Sequence, residues 1–164
     1  MTKFFLDEQV CPREELLYFL EHNGVQYVLE GEEIRFTLAQ GHYKWLCVCR
    51  WGGNSVIIYS VYPFKLAEKD RAKAAEAINT VNGKLTRGGL FSHNGSPVMR
   101  TDADLFDAYG AYEAIARALE YNAGAMTEFW GQLAALAQSG GQKRFKAVRT
   151  AAAGAAGDSP VPTP

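Results

Sequence analysis

Residues 55–62 read Ser-Val-Ile-Ile-Tyr-Ser-Val-Tyr, with Pro63 next. β-Branched and aromatic side chains at this density favour an extended strand, in which successive residues point to opposite faces. Here both faces are apolar. Such a strand is expected at the centre of a sheet, with both sides covered or with one side held for a partner. Pro63 ends it, because proline has no N–H to give to the ladder.

The preceding residues supply neighbours for that strand. Residues 25–30 and 33–39 flank Gly31 and Glu32, and the second run alternates Ile34, Phe36 and Leu38 with Arg35 and Thr37, so one of its faces is buried. Residues 42–51 place Trp45, Cys47, Cys49 and Trp51 on one side and Leu46, Val48 and Arg50 on the other, and Gly52-Gly53-Asn54 turns the chain into the central strand. Ahead of them, Pro12 at a first turn, Glu14 and Glu15 at the positive end and Gly24 at the stop predict a helix over 12–22, with Leu16, Phe19 and Leu20 as its apolar stripe. A second helical pattern runs from 66 to 82 and ends at Gly83. Strands over 85–92 and 97–101 then flank His93-Asn94-Gly95-Ser96, whose Asn-Gly suits a type I′ hairpin turn.

The longest element is expected from Leu105 or Tyr109 to Gln138. Ile115, Leu119, Asn122, Met126, Phe129, Leu133 and Leu136 recur at gaps of four and three, a heptad-like seam. The seam either packs on its own sheet or presents its distal half, Met126, Phe129 and Leu133, to a second subunit. Asn122 would fix register between partners or bond to a neighbouring backbone. The expected fold class is therefore α+β, a largely antiparallel sheet with helices packed on it in the order α-β-β-β-β-α-β-β-α, occupying residues 1–138. Residues 139–164 form a basic and then Ala/Gly/Pro-rich tail, expected to be disordered because it offers too little apolar area to offset its ordering entropy.

Charge follows the same division. The whole chain carries a net −1, but residues 1–137 hold 13 basic and 17 acidic side chains (−4), whereas residues 138–164 hold 4 and 1 (+3). A uniformly basic nucleic-acid binder is excluded, which leaves weak nucleic-acid association through the 139–164 tail as the one such reading. No apolar run approaches the roughly 18 residues of a membrane-spanning helix, and Asp7-Glu8 interrupts the N-terminus before a signal-peptide core, so a cytoplasmic protein with no membrane partner is expected.

Catalytic chemistry is poorly represented. Cys47 and Cys49 are too parallel for a disulfide and lack the further ligands of a zinc site, and two small apolar residues in a buried strand face describe them better. His22, His42 and His93 fall at a helix end, a turn and a hairpin tip. Asp102, Asp104 and Asp107 lack the Gly and distal Glu of a calcium loop, and helix capping by Asp102 or Asp104 is expected instead. No enzyme, cofactor or metal is expected. The alternative is a small-molecule enzyme or binding protein with a pocket near Cys47, His42 and Arg50. The aromatics lack the interleaved Lys and Arg of a nucleic-acid stacking platform, so Trp45, Trp51, Tyr59 and Tyr62 are read as contacts for a protein partner.

One stretch carries a family likeness. Ala77-Ile78-Asn79-Thr80-Val81-Asn82-Gly83-Lys84-Leu85, followed by Gly88-Gly89-Leu90-Phe91-Ser92-His93-Asn94-Gly95, resembles the YbjN family, described as bacterial sensory transduction regulators, in Asn79, Asn82, Leu85, Gly89, Phe91 and Gly95. A second anchor is the run from Trp45 to Tyr62, and the likeness spans roughly Leu6 to Gln138. Thr80, Gly83 and the basic tail depart from the pattern. The resemblance implies a fold like that of type III secretion chaperones and a non-enzymatic, regulatory or chaperone-like role exercised through protein contacts, as a homodimer. Asn79 and Asn82, three residues apart on one helix face, are read as structural.

Overall fold

A computed structural model describes residues 10–137; the tail expectation for 139–164 lies outside the described residues. Helix α1 spans Pro12–His22 as the sequence predicts, and at its end Asn23 donates through Nδ2 to the Phe19 carbonyl at 2.8 Å. Four strands follow: β1 (Tyr27–Glu30), β2 (Glu33–Gln40), β3 (Tyr43–Gly52) and β4 (Ser55–Val61). A 3₁₀ turn at Glu68–Asp70 leads into α2 (Arg71–Lys84). The hairpin β5 (Gly89–His93) and β6 (Ser96–Asp104) precedes α3 (Ala108–Glu128) and a short α4 (Trp130–Ala134).

The six strands form one sheet in the order β1-β2-β3-β4-β6-β5, and every neighbouring pair is antiparallel. β4 occupies an interior position between β3 and β6. The β5–β6 turn holds Asn94 at φ +50° and Gly95 at φ +81°, the pair of positive values that a type I′ turn requires.

Strand alternation divides the sheet into two unlike faces. Ile34, Phe36, Trp45, Cys47, Cys49, Val56, Ile58, Met99 and Ala103 share one core with Leu16 and Leu20 of α1, Ile115, Leu119 and Met126 of α3, and Leu133 of α4. The residues between them in sequence point to the other face, which carries no helix among the described residues. α2 lies against β5, where the Asn82 side chain receives the Leu90 N–H at 2.7 Å and donates to the Leu90 carbonyl at 2.9 Å. It thereby pairs the outward backbone groups of an edge strand that would otherwise be open to another chain.

Four boundaries differ from expectation. α2 begins at Arg71 and runs through Gly83, since an exposed glycine in a final turn weakens a helix without stopping it. The Leu85 strand start moves to Gly89. β6 continues to Asp104, which places Asp102 and Asp104 on a strand; Asp107 is the cap, receiving the Gly110 N–H at 2.7 Å. The last helix is divided at Phe129, next to Thr127, whose hydroxyl bonds back to the Ala123 and Gly124 carbonyls, an arrangement that competes with the helical ladder.

Candidate interaction surface

The seam of α3 and α4 is spent on the protein's own core. Met126, Phe129 and Leu133 are buried there, as are Trp45 and Tyr62, so five of the seven residues expected to meet a partner offer no surface to one. Trp45 and Tyr62 have internal roles instead. The Trp45 indole donates to Ser60 Oγ at 3.0 Å, and the Tyr62 hydroxyl donates to the Met126 carbonyl at 3.0 Å, near the end of α3, where helix carbonyls lack partners. Trp45, Tyr43, Tyr62 and Phe64 all approach Trp130. Trp51 is half-buried against the same core. Tyr59 lies three residues from Tyr62 and so points to the opposite, uncovered face. Asn122 takes the internal option, with Nδ2 3.1 Å from Thr101 Oγ1 and 3.4 Å from the Met99 carbonyl.

The uncovered face is what the sequence reading left unassigned. The strand registers stack its side chains in rows across the sheet. One row is wholly apolar, Leu46, Val61, Val98 and Phe91, joined by the β3–β4, β4–β6 and β5–β6 pairings. The next is Val48, Tyr59 and Arg100, in which the Arg100 guanidinium lies 5.9 Å from the Tyr59 ring centroid and Phe91 meets the same ring edge-on at 6.3 Å. The third is Arg50, Ile57 and Asp102. Leu46 is 40% exposed and Phe91 38%, whereas Val61 is half-buried and Val98 is buried between them. An uncovered antiparallel face normally alternates polar residues against a buried apolar set; here its central strands carry Leu46, Val48, Ile57, Tyr59 and Val61.

Charge borders these rows on the β1–β2 side. Glu33 accepts from Arg35 at 2.9 Å and from Arg50 Nε at 2.8 Å, and Arg35 also reaches Glu30 at 3.4 Å. The hydrogen bonds from Arg35 and then Arg50 hold the Glu33 carboxyl below the usual carboxylate range. Glu30, Arg35 and Arg50 are exposed around a half-buried Glu33, so the cluster shapes recognition more than stability.

The residues of the small-molecule alternative are not brought together. Cys47 is inside, 3.2 Å from Ser60 Oγ, and burial pushes its thiol up to about 12; Arg50 is on the opposite face; His42 sits in the β2–β3 turn. All three cysteines are unpaired, with Cys11 exposed and Cys47 and Cys49 buried. A cleft of about 640 Å³ lies between α2 and the β5–β6 hairpin, where Lys65, Glu68, Arg71, Ser92 and Asn94 mix both signs of charge, and it contains none of those three residues. Among the described residues no group of three His, Cys, Asp or Glu side chains is placed to hold a metal, and no helix is long and apolar enough to cross a membrane.

The motif residues separate into distinct roles. Asn82 pairs the β5 edge, whereas Asn79 is exposed and makes no side-chain hydrogen bond among the described residues. Leu85 caps α2 through its N–H to the Val81 carbonyl, Gly89 lies beside Asn82, and Gly95 forms the hairpin turn. Phe91 belongs to the uncovered face. Two further aromatics were missed, Phe106 and Tyr109, which stand almost wholly exposed at the start of α3; the only signal for them was their position beside the Asp107 cap.

No protein-family model matches the chain, and no curated protein matches it in sequence. Among solved structures, the chain is similar to YbjN from E. coli, a protein suggested to be a transcription regulator, with a TM-score of 0.55 over 73% of this chain and 92% of that one. The identity is 8%, so the likeness is one of fold.

Proposed function

We propose that this protein is a non-enzymatic interaction domain, regulatory or chaperone-like, that acts in the cytoplasm by holding a polypeptide against the uncovered face of its sheet. One observation carries the reading: the interior strands β3 and β4 put Leu46, Val48, Ile57, Tyr59 and Val61 on the side that no helix of the described residues covers, bordered by paired charges. An apolar centre with a polar border is the layout of a protein interface. The likeness in fold to a suggested regulator is compatible with this role. The unpaired, buried Cys47 and Cys49 suit a reducing compartment.

A photo-crosslinking amino acid at Leu46 or Phe91, compared with one at the fully exposed Tyr109, tests the surface in growing cells. Polypeptide adducts from Leu46 and Phe91 that are absent from Tyr109 support the reading. Equal adducts from all three positions, or none, refute it.

A further inference from the structure

We infer that the end of β6 that runs past β5 is a docking edge for an extended peptide of another protein, one with basic side chains two residues apart and an apolar residue between them. The site lies at the sheet edge and does not depend on the uncovered-face reading. It follows from the direction of the β6 backbone. Pro97 accepts the Tyr62 N–H at 3.0 Å, and the Leu105 N–H just beyond the strand reaches the Asn54 carbonyl at 2.8 Å, so the odd-numbered residues turn their backbone groups towards β4. The even-numbered ones turn theirs the other way. β5 supplies their partners only as far as Gly89, opposite Arg100. There Gly88, at φ +67°, turns the chain off the sheet, and the Thr86 and Arg87 N–H groups donate to the Tyr121 hydroxyl at 2.8 and 3.3 Å. The N–H and C=O groups of Asp102 and Asp104 are left with no partner among the described residues. Asn82 closes the outward groups of β5, and no described side chain does so here. Such groups are what an added strand pairs with.

The surrounding side chains select the peptide. A cleft of about 480 Å³ opens beside the edge, lined by Ala103, Ala114, Ala118 and Phe106 together with Arg87 and Arg117. A strand laid antiparallel to β6, in line with β5, sets alternate residues beside the exposed Asp102 and Asp104 and turns the one between them towards α3. Lys or Arg at the two outer positions then meets a carboxylate at each. Asp102 has no ion-pair partner among the described residues, and Asp104 accepts the Ser55 hydroxyl at 2.6 Å. An apolar middle residue fills the cleft beside the exposed Phe106, whereas a basic one would meet Arg87 and Arg117. The charges that guard the edge thus decide which strand it accepts. The chain's own Arg144-Phe145-Lys146 has this pattern but does not reach in this direction. Ala137 bridges to Leu66, whose N–H bonds to the Gly95 carbonyl at the far end of β6. Arg144 would have to lie opposite Asp104, about 30 Å along the strand, and the residues from Ala137 to Arg144 span about 25 Å at full stretch.

The test is titration of the isotopically labelled full chain with the capped peptide Thr-Arg-Val-Lys-Thr, read by NMR shifts and amide exchange. The Asp102 and Asp104 amides should shift saturably and gain protection. Methylating the backbone nitrogens of the peptide's Arg and Lys removes the donors to the Asp104 and Asp102 carbonyls and should weaken binding about tenfold or more. Asp102→Asn combined with Asp104→Asn, with circular dichroism confirming the fold, should weaken it about three- to thirtyfold at low salt. The isomer Thr-Arg-Lys-Val-Thr, which turns one cation into the cleft, should bind less tightly than the first peptide. No shift at either amide with 5 mM peptide overturns the inference, as does a methylated peptide that binds equally well. Asp102 and Asp104 amides already protected in the free chain also overturn it, since residues of the chain itself then fill the edge. Shifts confined to Leu46, Val48 and Tyr59 overturn it too, and place the peptide on the uncovered face instead.

Discussion

Replacing Asn82 by alanine removes two hydrogen bonds from a single residue of β5. The Leu90 N–H and carbonyl, 2.7 and 2.9 Å from the Asn82 amide, lose their partners at a strand edge where the Leu90 side chain is buried. At about 1 kcal/mol net for each bond the loss is about 2 kcal/mol, which entering water and the better helix propensity of alanine reduce to about 1–1.5 kcal/mol. With a urea m-value of about 1–3 kcal/mol/M, the unfolding midpoint of the full chain should fall by about 0.3–1.5 M. Asn79→Ala, one turn away on the same helix face, supplies the contrast. It breaks no side-chain bond among the described residues, so only the propensity gain of about 0.5 kcal/mol is left and the midpoint should rise slightly. Hydrogen exchange should show the Leu90 amide losing protection in the Asn82 variant alone. An Asn82→Ala protein as stable as wild type, or two variants of equal cost, would refute the argument that this side chain stands in for a missing strand.

Other outcomes follow from burial and backbone geometry. At Gly88, φ is +67° and an added Cβ would lie 2.0 Å from the Arg100 carbonyl oxygen, so Gly88→Ala should cost more than about 4 kcal/mol or prevent folding, as a thermal melt will show. Gly124→Ala, in α3 with open space around it, should instead add about 0.5–1 kcal/mol. Tyr62→Phe leaves the Met126 carbonyl without its donor and should cost about 1–2 kcal/mol by urea melts. Burial raises the Cys47 thiol to about 12 and the Tyr62 phenol in the same direction, so the unfolded chain releases these protons first. Their contribution is whole below about pH 8.5 and is lost towards pH 12, at up to about 1.4 kcal/mol per pH unit for each group in its window. Urea midpoints that stay level from pH 8 to 11 would contradict this, and Cys47→Ala should lessen the fall.

Much of the fold was legible because short-range signals and tertiary packing agree. Pro12, the paired glutamates and Gly24 bracket α1, and the period-two runs mark β2, β3 and β4. Residues 55–62 called for a central strand, and β4 lies inside the sheet with one face uncovered. What periodicity could not supply is which face the helices cover. Alternation correctly grouped Trp45 with Cys47 and Cys49, and Leu46 with Val48 and Arg50, but the choice between the two groups depends on where α1 and α3 dock, a matter of contacts remote in sequence. Size drew attention to the tryptophans, which are the residues a core most readily absorbs. The distal seam of the last helix was ambiguous for a similar reason: a heptad stripe satisfied by a sheet and one satisfied by another helix have the same spacing. Asn82 was recognisable as structural, but its partner at Leu90 depends on how α2 lies along β5.

The strand order has a kinetic consequence. β1 to β4 form a meander whose pairings close over a few residues, as with Gln40 and Tyr43. β6 reaches β4 only after the chain between Val61 and Val98, 37 residues apart, has looped back, and the far end of the pairing, Ser55 with Asp104, is 49 residues apart. Closing a loop of that length costs about 2 kcal/mol more than closing a tight turn. The meander should therefore assemble first, leaving β4 for a time as an edge strand that is apolar on both faces and available to any neighbouring chain. A refolding experiment should accordingly lose yield steeply with protein concentration during this phase, before the hairpin of β5 and β6 docks. The segment that most needs an interior place obtains it late.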